Sequence, residues 1–327
     1  MSSYESHGGL RWIAGTAALF VGAGLLLPFA GPAPLDLSRV WSRAAPDWPI
    51  LIHLRLSRTL LGLFGGGALG LAGSLFQTML RDTLATPYTL GVSTGASLGA
   101  VVAIALNWHA GSVWGVWAGA LAGAALVLLV VSGAASWRRE ASAVTLLLAG
   151  VAMNSVCSAL ILLVLGLSGV SQTFSIARWL IGSLDAIAYV PLAAFMAIVS
   201  GCAVMIVGRA REWNLLSLGE AWAGTRGTDV PRLLRFGYLG GSVMAALTVA
   251  VTGPIGFIGL MVPHLIRVRV TADDRVVMPC AFFLGGALLA SCDALGRVLL
   301  APAEIPAGAI TACVGGPYLV WLVRQRT

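Results

Sequence analysis

At 327 residues, with 58 % hydrophobic and only 10 % charged side chains and a mean hydropathy of +0.91, the chain carries more apolar surface than one aqueous core can hide. That excludes a water-soluble globule and predicts an all-α polytopic membrane protein. The formal net charge of +7 needs no nucleic acid, because all 20 basic residues are arginine, and arginines on the cytoplasmic side of a membrane produce such a balance by themselves.

Crossing about 30 Å of hydrocarbon takes ~20 mostly apolar helical residues. About ten blocks qualify: residues 11–32, 58–80, 91–108, 112–135, 143–168, 188–208, 234–252, 255–268, 276–296 and 307–323, the third and eighth short or broken. The run after Arg11 is long enough to span, and no small-residue cleavage site follows it, so it is expected to remain as the first helix. With the N-terminus inside, 14 of the 20 arginines fall on inner segments and Arg39, Arg43, Arg55, Arg58, Arg178 and Arg297 on outer ones. The positive-inside rule then predicts both termini in the cytoplasm.

Residues 35–54, with Trp41, Trp48 and His53, and residues 172–185, with Arg178 and Trp179, are amphipathic and suit helices in the headgroup layer. Glycines Gly65, Gly66, Gly67, Gly70 and Gly73, then Gly91, Gly95 and Gly99, predict close helix packing rather than substrate contact. Asp82 is expected to cap a helix in the stretch RDTLATP at Arg81–Pro87. Asp293 and Arg297 stand four apart and are expected to neutralise each other. His53 and His109 fall at outer boundaries, while His264, after Pro263, reads as a structural histidine near the inner one.

Cys157, Cys202, Cys280, Cys292 and Cys313 show no CxxC spacing and are expected to be small core residues, with no metal site. No phosphate loop occurs, and GGGALG at Gly65–Gly70 lies inside an apolar helix without a preceding strand. No buried mid-span acid stands out as a proton carrier.

The longest polar interruption is 209–235, with Arg209, Arg211, Glu212, Glu220, Arg226, Asp229, Arg232 and Arg235. Leu215–Ala223 is expected to form a short amphipathic helix, and Gly224, Gly227 and Pro231 to break the chain into a second turn. Such a charged helical hairpin between two spans is suited to touching a soluble partner; a solvated hairpin with no partner is the alternative.

Several blocks together resemble the permease subunits of bacterial ATP-binding-cassette importers for ferric siderophores, haem and cobalamin. They are RLSRTLLGLFGGGALGLAGSLFQTML (Arg55–Leu80), YTLGVSTGASLGA (Tyr88–Ala100), LLLAGVAMNSVCSAL (Leu146–Leu160), LSLGEAWA (Leu216–Ala223), TGPIGFIGLMVPHLIR (Thr252–Arg267) and DALGRVLLAPAEIPAGAITACVGGPYLVWLV (Asp293–Val323). The sequence departs at Arg81–Pro87, where the family more often has Asn-Pro-Leu-Ala, and at Gly224 and Arg226, where an arginine and a leucine are usual.

The resemblance implies a single transmembrane permease domain over residues 1–327, of type II importer architecture, in the bacterial inner membrane. Its implied partners are a second copy, two separate ATPase subunits that bind ATP and Mg, a periplasmic binding protein and membrane lipid, with no cofactor, catalytic residue or metal in this chain. It carries ATPase coupling to Ser217, Leu218, Gly219, Glu220, Ala221 and Ala223, and binding-protein docking to Arg55 and Arg297. Gate positions, often hydroxyl-bearing in cobalamin relatives, fall on Ala143 and Val144. That apolar pair leans the cargo toward haem, then a ferric siderophore, then cobalamin. A proton-coupled secondary transporter is the runner-up, and an intramembrane enzyme a distant third.

Overall fold

The computed structural model describes residues 2–108, 114–136, 143–301 and 303–326; His109, named above, lies outside them, as do Arg138 and Arg139, two of the 14 arginines counted on inner segments. Among the described residues every regular element is helical. In chain order these are α1 Ser2–Leu26, a 3-10 turn Leu27–Phe29, α2 Leu37–Trp41, α3 Asp47–Pro49, a π-helical stretch Ile50–Leu56, α4 Ser57–Leu80, α5 Val92–Ala105, α6 Trp114–Ser136, α7 Ala143–Leu167, α8 Val170–Ile181, α9 Tyr189–Gly208, α10 Ala210–Ser217, α11 Glu220–Thr225, α12 Val230–Thr252, α13 Ile258–Arg269, α14 Asp274–Leu299 and α15 Ala307–Arg326.

Seven segments among the described residues are long and apolar enough to cross a bilayer: Gly8–Phe29, Asp47–Leu80, Trp114–Ala134, Ala143–Leu167, Tyr189–Gly208, Val230–Thr252 and Asp274–Leu299. Val92–Ala105 and Ala307–Trp321 are apolar but shorter. The chain is thus a multi-pass membrane protein; seven of the ten expected blocks are met by segments of spanning length, and those at 91–108, 255–268 and 307–323 by shorter described helices. The second block begins earlier than expected, because the π-helical stretch carries α3 into α4 without a break. Residues 35–54 are therefore not one amphipathic element; the first part holds α2 and the last part leads into α4.

Local chemistry sets several helix ends. Asp36, Asp229 and Asp273 accept the backbone N–H groups of Ser38, Arg232 and Arg275 at the starts of α2, α12 and α14. Gly182 (φ 76°) ends α8 and Gly253 (φ 70°) ends α12. Asp82 behaves differently from its expected role: its carboxylate accepts the Leu84 N–H at 2.9 Å, closing a turn ten residues before α5 starts at Val92.

By its contacts the described chain divides into two compact units. The first is Met1–Leu71, Ser183–Ala203 and Gly256–Thr327. In it α14 packs against α1, α13 and α15. A Cβ on Gly66 would overlap the Gly285 carbonyl of α14, so helix backbones touch there, as small residues permit in a lipid medium. Phe20, Phe64, Phe282 and Phe283 fill the adjacent space, with ring centroids 5.5–6.1 Å apart and mostly edge-on.

The second unit is Ala72–Gly182 and Val204–Ile255, with α5 packed on α6, α7, α8 and α12. Gly99 lies against Gly119 and Gly123 of α6 so closely that a Cβ on any of the three would meet backbone. Gln172 of α8 donates its side-chain amide to the Ala105 carbonyl at 3.1 Å, closing off the last turn of α5.

Candidate functional site

The polar segment between α9 and α12 is built as two short helices meeting at a corner. α10 buries Trp213 and Leu216. The Trp213 indole donates to the Ile206 carbonyl at 3.0 Å, and its ring rests on Gly237, where a Cβ would come within 2.6 Å of it. A buried aromatic thus anchors α10 to the end of α9 and to α12. At Gly219 the backbone takes φ 133° and ψ 148°, a conformation that essentially only glycine tolerates. The helix expected over Leu215–Ala223 is consequently split: α10 starts earlier, at Ala210, and α11 begins anew at Glu220. Gly227 (φ 84°) then turns the chain toward the Asp229 cap of α12.

The six residues expected at an ATPase contact separate by environment. Ser217, Leu218 and Ala221 are exposed, Leu218 by 69 %; Gly219 shapes the corner, and Ala223 is fully buried. Glu220 turns inward, where its Oε1 accepts the Ala143 N–H of α7 at 3.2 Å. Trp222, which sequence reasoning missed, is 50 % exposed, with the Arg226 guanidinium 5.2 Å above its ring. Its signal was present: an aromatic four residues after Leu218 in a polar stretch. The flanking ion pairs, Arg209–Glu212 at 3.8 Å and Arg232–Asp229 at 2.9 Å, join largely exposed side chains. The proposed gate pair also separates, since Ala143 is buried and only Val144, 61 % exposed, presents its side chain to open space.

A second constellation lies in the other unit. Asp293 of α14 is 1 % exposed and shared by two arginines, with Arg58 Nε at 2.9 Å from Oδ1 and Arg297 Nε at 3.1 Å from Oδ2. The i, i+4 pair read from sequence is present; Arg58, contributed by α4, was not foreseen. Arg58 also reaches Glu304 at 2.8 Å. The two arginines expected to dock a binding protein are both covered. Arg55 donates to the carbonyls of Phe29 and Ala33, at 3.3 and 2.6 Å. Arg297 spends less: its contact with Asp293 lacks hydrogen-bond alignment, and its Nη1 and Nη2 have no partner among the described residues.

The His264 ring is buried and stands edge-on to Tyr318, 6.5 Å between centroids. Cys157, Cys202, Cys280 and Cys292 are buried as expected, whereas Cys313 is exposed. Among the described residues no group of three or more His, Cys, Asp or Glu is placed to hold a metal ion.

Residues 18–325 match the FecCD transport family. The hemin transport system permease protein of Yersinia pestis is 34 % identical over 302 residues, covering 90 % of each chain. The ferric enterobactin transport system permease protein of Escherichia coli is 38 % identical over 289 residues, covering 86 % of this chain and 84 % of that one. The vitamin B12 import system permease protein of Salmonella paratyphi A is 32 % identical over 317 residues, covering 96 % and 95 %. A solved structure described as an inward-facing conformation of a metal-chelate type ABC transporter superposes with a TM-score of 0.83 at 28 % identity, covering 97 % of this chain and 99 % of that one.

Proposed function

The chain belongs to the FecCD transport family, as the permease subunit of a metal-chelate or vitamin B12 type ABC importer, and from that premise we propose how it works and what it carries. The carrying observation is the anchored corner of α10 and α11, a compact unit with Leu218, Trp222 and Arg226 on its surface, set between the long apolar helices α9 and α12. We infer that this corner seats in a separate ATPase subunit that binds ATP and Mg, and passes the closure of an ATPase dimer to the membrane helices as a rigid-body movement. Residues 1–327 serve as one translocation domain with ten spans, α5, α13 and α15 being the three beyond the seven long ones. Two copies assemble in the bacterial inner membrane with their termini in the cytoplasm.

A periplasmic binding protein delivers the cargo. Docking through Arg297 is supported by its two unspent guanidinium nitrogens, which a partner carboxylate would satisfy. Arg55 has already committed its donors to its own chain, so Arg297→Glu should weaken docking more than Arg55→Glu, measured as binding-protein affinity at low salt. Equal effects would remove the distinction.

Relatives named for haem, enterobactin and vitamin B12 match over comparable lengths, so the cargo is argued from chemistry. An apolar Val144 at the start of α7 favours a large flat chelate, and haem is the first choice, ahead of a ferric siderophore and cobalamin. Coupling to protons is disfavoured because each acid buried among the described residues has an arginine beside it: Asp47 has Arg39 at 4.0 Å, Asp274 has Arg267, and Asp293 has Arg58 and Arg297. Proteoliposomes holding the complex should accumulate haem only with ATP and loaded binding protein. Uptake driven by a proton gradient alone overturns the reading; cobalamin winning a direct competition overturns only the choice of cargo.

A further inference from the structure

Two residues that stand in different functional regions meet in the structure. Glu220 opens α11, in the corner proposed to seat in the ATPase, and Ala143, at the proposed gate, is the first described residue of α7. They are 77 positions apart, yet the Glu220 carboxylate accepts the Ala143 N–H. Ala143 is 3 % exposed, so solvent is a poor partner for its N–H. The Glu220 carboxylate satisfies that buried backbone donor from a different helix. Among the described residues Glu220 forms no ion pair, so this hydrogen bond is its assigned contact.

We propose that Glu220 is a positioning residue that ties α11 to α7, so that a displacement of the ATPase-facing corner acts directly on the gate helix at Ala143. The hydrogen bond stands on the structure alone; its role in gating rests on the proposed function. The carboxylate is then directed at the gate helix and away from the ATPase, which separates it from Leu218 and Trp222, whose side chains are open to a partner.

Hydrogen exchange on the full-length chain in nanodiscs, read at the Ala143 amide, tests the tie. Glu220→Ala should speed exchange about tenfold, and Glu220→Gln less, since its amide oxygen still accepts. Unchanged exchange in Glu220→Ala overturns the inference; if that variant fails to fold, the same comparison is made with Glu220→Gln. In the reconstituted complex supplied with haem-loaded binding protein, Glu220→Ala should retain ATPase co-purification and hydrolysis within about twofold while transport per ATP falls about tenfold, with partial recovery in Glu220→Gln. Loss of co-purification would place Glu220 in the ATPase contact, and wild-type transport per ATP would leave the tie without a function; either result overturns the proposal. Wild-type uptake that needs no ATP would instead defeat the importer reading, while the exchange measurement still decides the tie.

Discussion

In residues 209–235 eight ionisable side chains gather in one stretch of sequence, and the ion pairs they form, Arg209–Glu212 and Arg232–Asp229, join side chains 43–80 % exposed. Around Asp293 the charges are sparse in sequence, coming from residues 58, 293, 297 and 304, yet Asp293 and Arg297 are nearly inaccessible and Arg58 is 13 % exposed. Exposed pairs contribute little because water screens them and long side chains lose freedom in forming them. A buried carboxylate between two guanidiniums is different: desolvation offsets much of the attraction, but removing the carboxylate strands the cations. Charge density along a sequence therefore marks where a partner can be met. The structural cost of losing a charge follows burial.

The largest expected effect breaks the buried side of this contrast. Asp293→Ala leaves Arg58 with only Glu304 and Arg297 with no counterion, and should destabilise the protein by ~3–5 kcal/mol, read as a lowered unfolding temperature in detergent. A variant as stable as wild type would mean that water or lipid headgroups already compensate the arginines. The next effect belongs to the exposed side and should appear in binding alone. Trp222→Ala removes an aromatic that is half exposed and carries the Arg226 guanidinium over its ring, so ATPase affinity should fall by ~2 kcal/mol, about 30-fold, at unchanged unfolding temperature. A stability loss equal to the binding loss would show that Trp222 is structural.

Much of this was legible in the sequence because lipid imposes a simple rule, that a span is an apolar run of sufficient length. The block at 188–208 coincides with Tyr189–Gly208 to within a residue at each end, and that at 143–168 ends within a residue of Leu167. The Asp293–Arg297 pair was legible because i, i+4 neighbours share a helix face. Arg58 was not, since only the folded chain brings residues 235 positions apart together, and the Glu220–Ala143 hydrogen bond was hidden for the same reason. The break at Gly219 illustrates a different limit. Gly224 is an equally permissive residue five positions on, yet it stays inside α11, and nothing local in composition says which glycine will adopt positive φ.

The smallest effects separate two contributions within the exposed region itself. Asp229 caps α12 by accepting the Arg232 N–H at 3.2 Å, and its other oxygen pairs with the Arg232 side chain at 2.9 Å. Asp229→Ala removes both and should cost ~1 kcal/mol, most of it from the cap, because Val230 and Pro231 behind it supply no side-chain acceptor. Asp229→Ser keeps a capping oxygen without the charge and should recover most of that loss. Arg232→Ala removes only the ion pair: the guanidinium side chain is 80 % exposed, its backbone N–H still reaches Asp229, and the expected change is below ~0.5 kcal/mol and smaller still at high salt. Unfolding temperatures of the three variants at low and high salt decide between them. If Arg232→Ala costs as much as Asp229→Ala, the pair outweighs the cap, and the exposed charges of this segment stabilise the fold more than their accessibility implies.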